Sequence, residues 1–364
     1  MVYLKDICVK ASSSIAQKDL EGHEGQYPIY GAAGYIMDVD FYHQDKPYVA
    51  IVKDGAGVGR VMCLPAFSSV IGTLQYIIPT SDTNVHYLAY ALEHMNLAKY
   101  YTGATIPHIY FKDYCMEKLP RHSWKEQQSI ATRLSKVDTF IALRKQQIAK
   151  LDELVKARFV EMFGDPVDNP MCWTTHPLDA VCNTIVDCPH STPSYTTDNT
   201  GFMCIRTSIV KKNKILWDEI EYIPEEEYNK RIQRKKPAKG DIVYTREGAI
   251  LGIAAIIDRE CNVALGQRSM LLSPNPEKCC SEFLCIAMNF DSFLRKALGG
   301  ISGSASPHIN VGDIKAFEII LPPLALQHQF ATFVAQTDQQ KLTIQQSLDK
   351  LVLMKKALMQ KYFG

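Results

Sequence analysis

The chain has 364 residues, of which 46% are hydrophobic and 22% charged, with a formal net charge of +1. That length and composition read as a globular protein with room for two cored domains, and argue against a disordered or low-complexity chain. A net charge this close to zero also argues against nucleic-acid binding by bulk charge, so any such reading rests on local patches or on a partner's charge.

The apolar runs are short and broken by charge, so no transmembrane helix is expected. Residues 1–10 hold three charges and no signal-peptide core, and a cytoplasmic protein is the expectation. The 11 cysteines are scattered, with no Cys-x-x-Cys pair. They are expected to be ordinary reduced residues, with neither a zinc site nor a disulfide frame.

Residues 1–118 mix short apolar, β-branched runs with turns, the pattern of an α+β domain. Tyr48-Val49-Ala50-Ile51-Val52 is predicted as a strand, and residues 84–99 as helical from the spacing of their apolar positions. Gly55-Ala56-Gly57-Val58-Gly59 has the glycine density of a phosphate loop. A strand ending in Pro65 follows it, where a phosphate loop needs a helix N-terminus. A tight turn between strands is the better expectation. Lys53, Arg60 and Lys112 are the basic candidates for DNA contact here, with Lys46 and Lys99 beside them.

Residues 119–164 are predicted to carry a long helix. Ile130, Leu134, Val137, Ile141, Ile148, Leu151 and Val155 fall on alternating steps of three and four, a heptad seam interrupted by Arg144 and Arg158. The helix closes at Gly164 and Pro166. Residues 165–320 return to the α+β pattern. Strands are predicted at 241–245 and 253–257 and a helix at 281–297, and residues 247–252 look like the counterpart of the first glycine loop. Basic residues cluster in this domain: Arg206, Lys211, Lys212, Lys214, then Arg231, Arg234, Lys235, Lys236 and Lys239, with Arg246 and Arg268 added as DNA-contact candidates. Residues 321–364 repeat the heptad pattern through Phe330, Val334, Ile344, Leu348, Leu351 and Leu358, with Lys341 and Lys355 at polar seam positions. Each helix is expected to run roughly 35 residues, about 50 Å. The two seams bury each other as an antiparallel coiled coil that separates the domains. Two ordinary helices packed on their own domains, or a homodimer seam, is the other reading of the periodicity.

The halves are related by an offset of 200 residues. Gln127-Gln128-Ser129-Ile130-Ala131-Thr132 aligns with Gln327-His328-Gln329-Phe330-Ala331-Thr332, Lys150-Leu151 with Lys350-Leu351, and Phe163-Gly164 with Phe363-Gly364. Upstream, Pro107-His108-Ile109 aligns with Pro307-His308-Ile309, and a Leu-Pro pair precedes each helix at 119–120 and 321–322. The unit repeated is a domain plus its helix. The whole reads as two α/β target-recognition domains separated by two long antiparallel coiled-coil helices, with an internal pseudo-twofold repeat. Its segments are 1–118, 119–164, 165–320 and 321–364.

No Walker phosphate loop, Glu-x-Lys triplet, Asn-Pro-Pro-Phe or Asp-Pro-Pro-Tyr segment, or His-Glu-x-x-His helix occurs. No catalytic residue and no metal ligand is therefore nominated. His108 and His308 recur in the repeat, but nothing around them frames a nucleophile, and a strand start or helix cap at the domain border fits them better.

The twice-present run of Leu-Pro, Gln-x-x-Ile/Phe-Ala and heptads ending in Phe-Gly resembles the specificity subunits of type I restriction–modification systems. The Pro-His-Ile segments, and Leu178 to Val181 after Trp173, resemble that family's domain borders. The resemblance implies that each target-recognition domain reads one half of a split site on double-stranded DNA. It implies that the helices set the gap and dock two methyltransferase subunits, and that two motor–nuclease subunits can join. The chain itself would be non-catalytic and without a cofactor, S-adenosylmethionine residing in the methyltransferase. The readings that compete with it are a coiled-coil scaffold joining two protein ligands without DNA, and an enzyme built around His108 and His308.

Overall fold

Val49 and Ile51 point to one face of their strand and Tyr48, Ala50 and Val52 to the other, and all five are buried. A strand covered on both faces reads as an unbroken apolar run, which is why this one is so legible. The computed structural model describes residues 1–103, 107–299 and 307–364. The chain packs as two compact units, residues 1–147 with 344–364, and residues 148–343. They do not follow the four sequence segments, because each takes one α+β domain with parts of both long helices.

In the first unit a four-stranded antiparallel sheet has the order β1 (Cys8–Ser12), β7 (Leu74–Pro79), β4 (Tyr48–Val52), β5 (Val61–Leu64). A three-stranded sheet pairs β2 (Glu24–Gly31) with β3 (Gly34–Val39) antiparallel and with β6 (Ser69–Val70) parallel. Helix α1 (Val85–His94) packs Leu88, Ala91 and Leu92 against Val49 and Ile51, and Asn84 caps its start by accepting from the backbone of His86 and Tyr87. Strand Val2–Tyr3 pairs with Lys118–Leu119, closing the domain on itself just before the long helix begins.

The second unit repeats this plan. Its four-stranded sheet runs β8 (Cys182–Asp187), β14 (Ser269–Pro274), β11 (Ile242–Thr245), β12 (Ala254–Ile256). Strand β9 (Met203–Ile205) pairs with β10 (Glu221–Tyr222) antiparallel and with β13 (Val263–Leu265) parallel. The segment predicted as one helix is broken into α2 (Ser281–Met288) and α3 (Asp291–Leu298). Asn289 at the break donates to the carbonyl of Ala254, and Phe290 starts the new axis from an extended conformation. Thr175–Pro177 pairs with Glu318–Ile320 and closes this domain in turn.

The two long helices are Trp124–Phe163 and Leu324–Phe363, each of 40 residues and offset by the repeat. The first starts with a capping box, Glu126 accepting from the backbone of Ser123 at 2.8 Å. It stops at Gly164, whose φ is +78°. Of the predicted seam, Ile130, Leu134, Val137, Val155, Phe330, Val334 and Leu348 are buried. Ile141, Ile148, Leu151, Ile344, Leu351 and Leu358 are half-buried. In the first unit Ile130 and Leu134 share a core with Met359 and Phe363. In the second, Phe159 and Phe163 share one with Phe330 and Val334. The start of one helix meets the end of the other in both, so the pair is antiparallel.

The two seam lysines prove to form cross-helix ion pairs, whereas Arg144 and Arg158 bond to Gln147 and Glu161 on their own helix. Lys355 bridges Asp138 at 2.9 Å and Glu93 at 2.8 Å in the first unit, and Lys341 bridges Asp152 at 2.7 Å in the second. Burial alone would lower the Lys355 ammonium, but hydrogen bonds to Glu93 and Asp138 outweigh it and hold its pKa above the ordinary lysine value. A pKa raised on folding stabilises the native state below the unfolded value, near 10.4, and that contribution is lost as pH climbs through the folded value. Lys355→Met is therefore expected to cost about 1 kcal/mol at neutral pH. Urea unfolding at stepped pH should show its difference from wild type shrinking above about pH 10.5. A constant difference would mean that packing, not charge, is what the lysine contributes.

One residue of the repeated Gln-x-x-Ile/Phe-Ala run ties each domain to its helix. Gln127 accepts from the backbone N–H of Asn84 at 2.8 Å and donates to the carbonyls of Asp82 and His122. Gln327 accepts from the N–H of Cys280 at 2.9 Å and donates to the carbonyls of Lys278 and Pro322. Both side chains are buried. Each glutamine thus joins the residue opening the domain's helix to the turn that opens the long one.

Candidate nucleic-acid interface

Two eight-residue loops occupy the same place in the two domains. Residues 53–60 join β4 to β5, and residues 246–253 join β11 to β12. The tight turn expected between strands is what the glycines make. In the first loop Gly59 donates to the carbonyl of Val52 at 2.8 Å, Gly55 to that of Pro107 at 2.9 Å, and Ile109 to that of Lys53 at 3.0 Å. In the second, Gly252 donates to Thr245 at 2.7 Å, Gly248 to Pro307 at 3.1 Å, and Ile309 to Arg246 at 2.9 Å. Each Pro-His-Ile segment is a strap that holds the loop's first residues, and this accounts for its recurrence. His108 meets the Asp54 carboxylate through Nδ1, and His308 forms a backbone bridge with Glu247. Gly59 is required where it stands, because its φ is +84° and a Cβ there would lie 2.6 Å from the backbone nitrogen of Ala98.

The basic candidates divide sharply. Arg246 is corrected: it is buried, and its guanidinium grips Asp187 through Nε at 2.9 Å and Nη2 at 3.1 Å. It cannot face a phosphate from there. Arg206 pairs with Glu221 at 3.0 Å, Lys212 with Asp291 at 2.9 Å, Lys235 with Asp241 at 3.6 Å, and Lys53 lies 3.9 Å from Asp54. Lys156 and Lys212 together hold the Asp291 carboxyl down to about 2. Arg231 likewise closes on Glu227 at 2.6 Å.

The remaining candidates are exposed and carry no acid partner among the described residues. Arg60 donates to the carbonyl of Ala32, Lys211 to that of Ser208, and Arg234 to that of Asp187. Lys112 lies over the Tyr110 ring and Lys236 reaches Asn262. Lys214 and Arg268 are exposed as well.

Charge is distributed against expectation. Residues 1–118 hold 9 Lys and Arg against 12 Asp and Glu, and residues 165–320 hold 17 against 20. The two helical segments hold 14 against 7. The domains are therefore mildly acidic and the helices carry the positive excess. Within the clusters around 211 and 234, Lys212 and Lys235 are paired with acids from other parts of the domain.

A second feature was readable from the heptads and was missed. Lys125, Ser129, Thr132, Lys136, Phe140 and Leu143 lie three or four residues apart, on a stripe along one flank of the first long helix, away from its seam. All six are exposed, Phe140 at 53% and Leu143 at 48%. Phe140 and Leu143 thus stand as exposed apolar side chains among lysines on this face. Among the described residues no group of His, Cys, Asp or Glu could hold a metal ion, and no helix is long and apolar enough to cross a membrane.

A sequence profile described as the type I restriction modification DNA specificity domain matches residues 1–153 and 172–352. The chain belongs to this family. Its two matched stretches are the two domain-plus-helix repeats. The chain is also similar to the type I restriction enzyme MjaVIII specificity subunit of Methanocaldococcus jannaschii, 24% identical over 357 residues, covering 90% of this chain and 82% of that one. Among solved structures it matches a type I restriction–modification S subunit from M. genitalium with a TM-score of 0.63 and 15% identity, covering 100% of this chain and 95% of the other. A chain from a structure on the assembly and conformational transition of a type I system matches with a TM-score of 0.52 and 16% identity, over 99% and 96% of the two chains. These likenesses place the fold among specificity subunits, with two mixed α/β domains and two long helices that pack together.

Proposed function

We propose that this chain is the non-catalytic DNA sequence-specificity subunit of a cytoplasmic type I restriction–modification complex, each α+β domain reading one half of a bipartite site. The observation that carries this reading is the duplication of architecture: a four-stranded and a three-stranded sheet, a strapped glycine loop and a glutamine clasp occur once per domain. Two copies of one reader are what a split target needs. Loop residues between sheet strands can reach base edges, while exposed lysines and arginines meet phosphates.

The helices set the gap between half-sites and dock the methyltransferase subunits, two per chain, one for each repeat. The lysine-flanked Phe140 and Leu143 face supports this role for the first helix. S-adenosylmethionine arrives with those subunits, and two motor–nuclease subunits complete a restricting assembly. The acidic balance of the domains makes the partners' positive charge part of DNA binding.

The test is to measure duplex binding by the chain alone and by the chain with its methyltransferase across a salt series. Weak binding alone, and tight binding with a steep negative salt slope in the complex, is expected. Absent or salt-insensitive DNA binding by the complex would instead identify a scaffold for protein ligands.

A further inference from the structure

Arg268 sits in a backbone conformation that side-chain-bearing residues rarely adopt, with φ at +68°. Its neighbours leave it no alternative. Gly266 donates to the Ile205 carbonyl at 2.8 Å, the Arg268 carbonyl accepts from Arg246 at 3.0 Å, and Ser269 opens β14 with its carbonyl accepting from Cys188. The segment is pinned on both sides, and glycine would fit it without cost.

What the arginine gains there is a position. Its side chain lies along the second glycine loop: a Cβ on Gly248 would stand 3.3 Å from the Arg268 Nη1 and 3.5 Å from its Cδ. Arg206, Arg231 and Arg246 turn onto Glu221, Glu227 and Asp187. Arg268 is exposed and pairs with no acid among the described residues. Asp187, the carboxylate on neighbouring β8, is held by Arg246 and, at 3.1 Å, by His190. Beside Arg268, Gln267 contacts Thr192, a further polar group on the same edge. The buried arginine thus neutralises the local acid and leaves the outer one unopposed.

We propose that Arg268 is a specificity-determining residue of the second domain, its planar fork reading the O6 and N7 edge of a guanine in the major groove. The inference rests on the DNA-reading function above and adds the residue, the base and the reason for the strained backbone.

The experiment uses the complex of this chain with its methyltransferase. The motif is found by methylome sequencing, and methylation is then measured on duplexes in which each base pair of each half-site is permuted. Arg268→Ala and Arg268→Lys are expected to lose about 10- to 100-fold in preference for G·C at one position of one half-site, the other half unchanged. Arg268→Gly is expected to lose the same preference while unfolding at the wild-type temperature or above it, since the backbone strain is relieved. A uniform loss on all sequences that lysine restores would make Arg268 a phosphate contact and overturn the inference. So would a wild-type motif unmoved by all three variants, with the specificity reading left standing. A wild-type complex that methylates no bipartite motif removes both.

Discussion

Arg246→Met is expected to destabilise the second unit by about 3–5 kcal/mol, because it leaves the largely buried Asp187 carboxylate with only the exposed His190 as an ionic partner. The pair is bidentate, with side chains 9% and 15% exposed, and Arg246 also donates to the Ile309 carbonyl within the strap. Breaking one partner of such a pair costs far more than the pair contributes, since the remaining charge keeps its desolvation penalty. Urea unfolding of the variant measures the loss. Adding Asp187→Asn should recover most of it, because the uncompensated charge disappears. A single variant within 1 kcal/mol of wild type would contradict the placement of Arg246 as an interior residue and return it to the list of surface cations.

Gln327→Leu is expected to cost about 3 kcal/mol or more. It leaves the Cys280 N–H and the carbonyls of Lys278 and Pro322 without their partner, at roughly 1–3 kcal/mol for each group that water cannot reach. Gln327→Glu can still accept from Cys280 but donates to neither carbonyl, so it should lose nearly as much. The equivalent change at Gln127 is expected to cost less, because that side chain is 7% exposed where Gln327 is fully buried. Thermal unfolding of both pairs of variants checks the order. If Gln127→Leu proves the more damaging, the clasp does not act through burial.

These two residues also show what the sequence could and could not reveal. Gln327 was visible as part of a repeated motif, because repetition marks a position even when its contacts are unknown. Its task was not visible, since the groups it joins are backbone atoms of residues 278, 280 and 322. Seam positions such as Leu134 and Phe330 were legible through their period, and β4 through its unbroken apolar run. Phe159 and Phe163 lie next to the seam and were passed over, because a heptad template does not say where a helix leaves its partner and enters a domain core. Arg246 was misread for a plain reason. A basic residue in a loop pattern looks like a surface cation until the fold brings Asp187, 59 positions away in sequence, against it. The same holds for Arg206 and Lys212, whose partners Glu221 and Asp291 lie on other elements.

The glycine loops carry the same lesson in reverse. Composition invited a nucleotide loop, and the following strand argued against it, which the fold bears out. The strap that holds each loop could be found only in three dimensions, because Lys53 and Ile109 are far apart in the chain. Once the straps align the loops, the duplication runs through the middle of both domains as well as their borders.

The central claim is that two readers in one chain each specify half of a DNA site. Methylome sequencing of cells expressing this chain with its methyltransferase tests it most directly. The account predicts methylation of a motif with two specified segments separated by a fixed run of unspecified base pairs, present only when the chain is present. A single contiguous motif, or a methylation pattern indifferent to the chain, would contradict it.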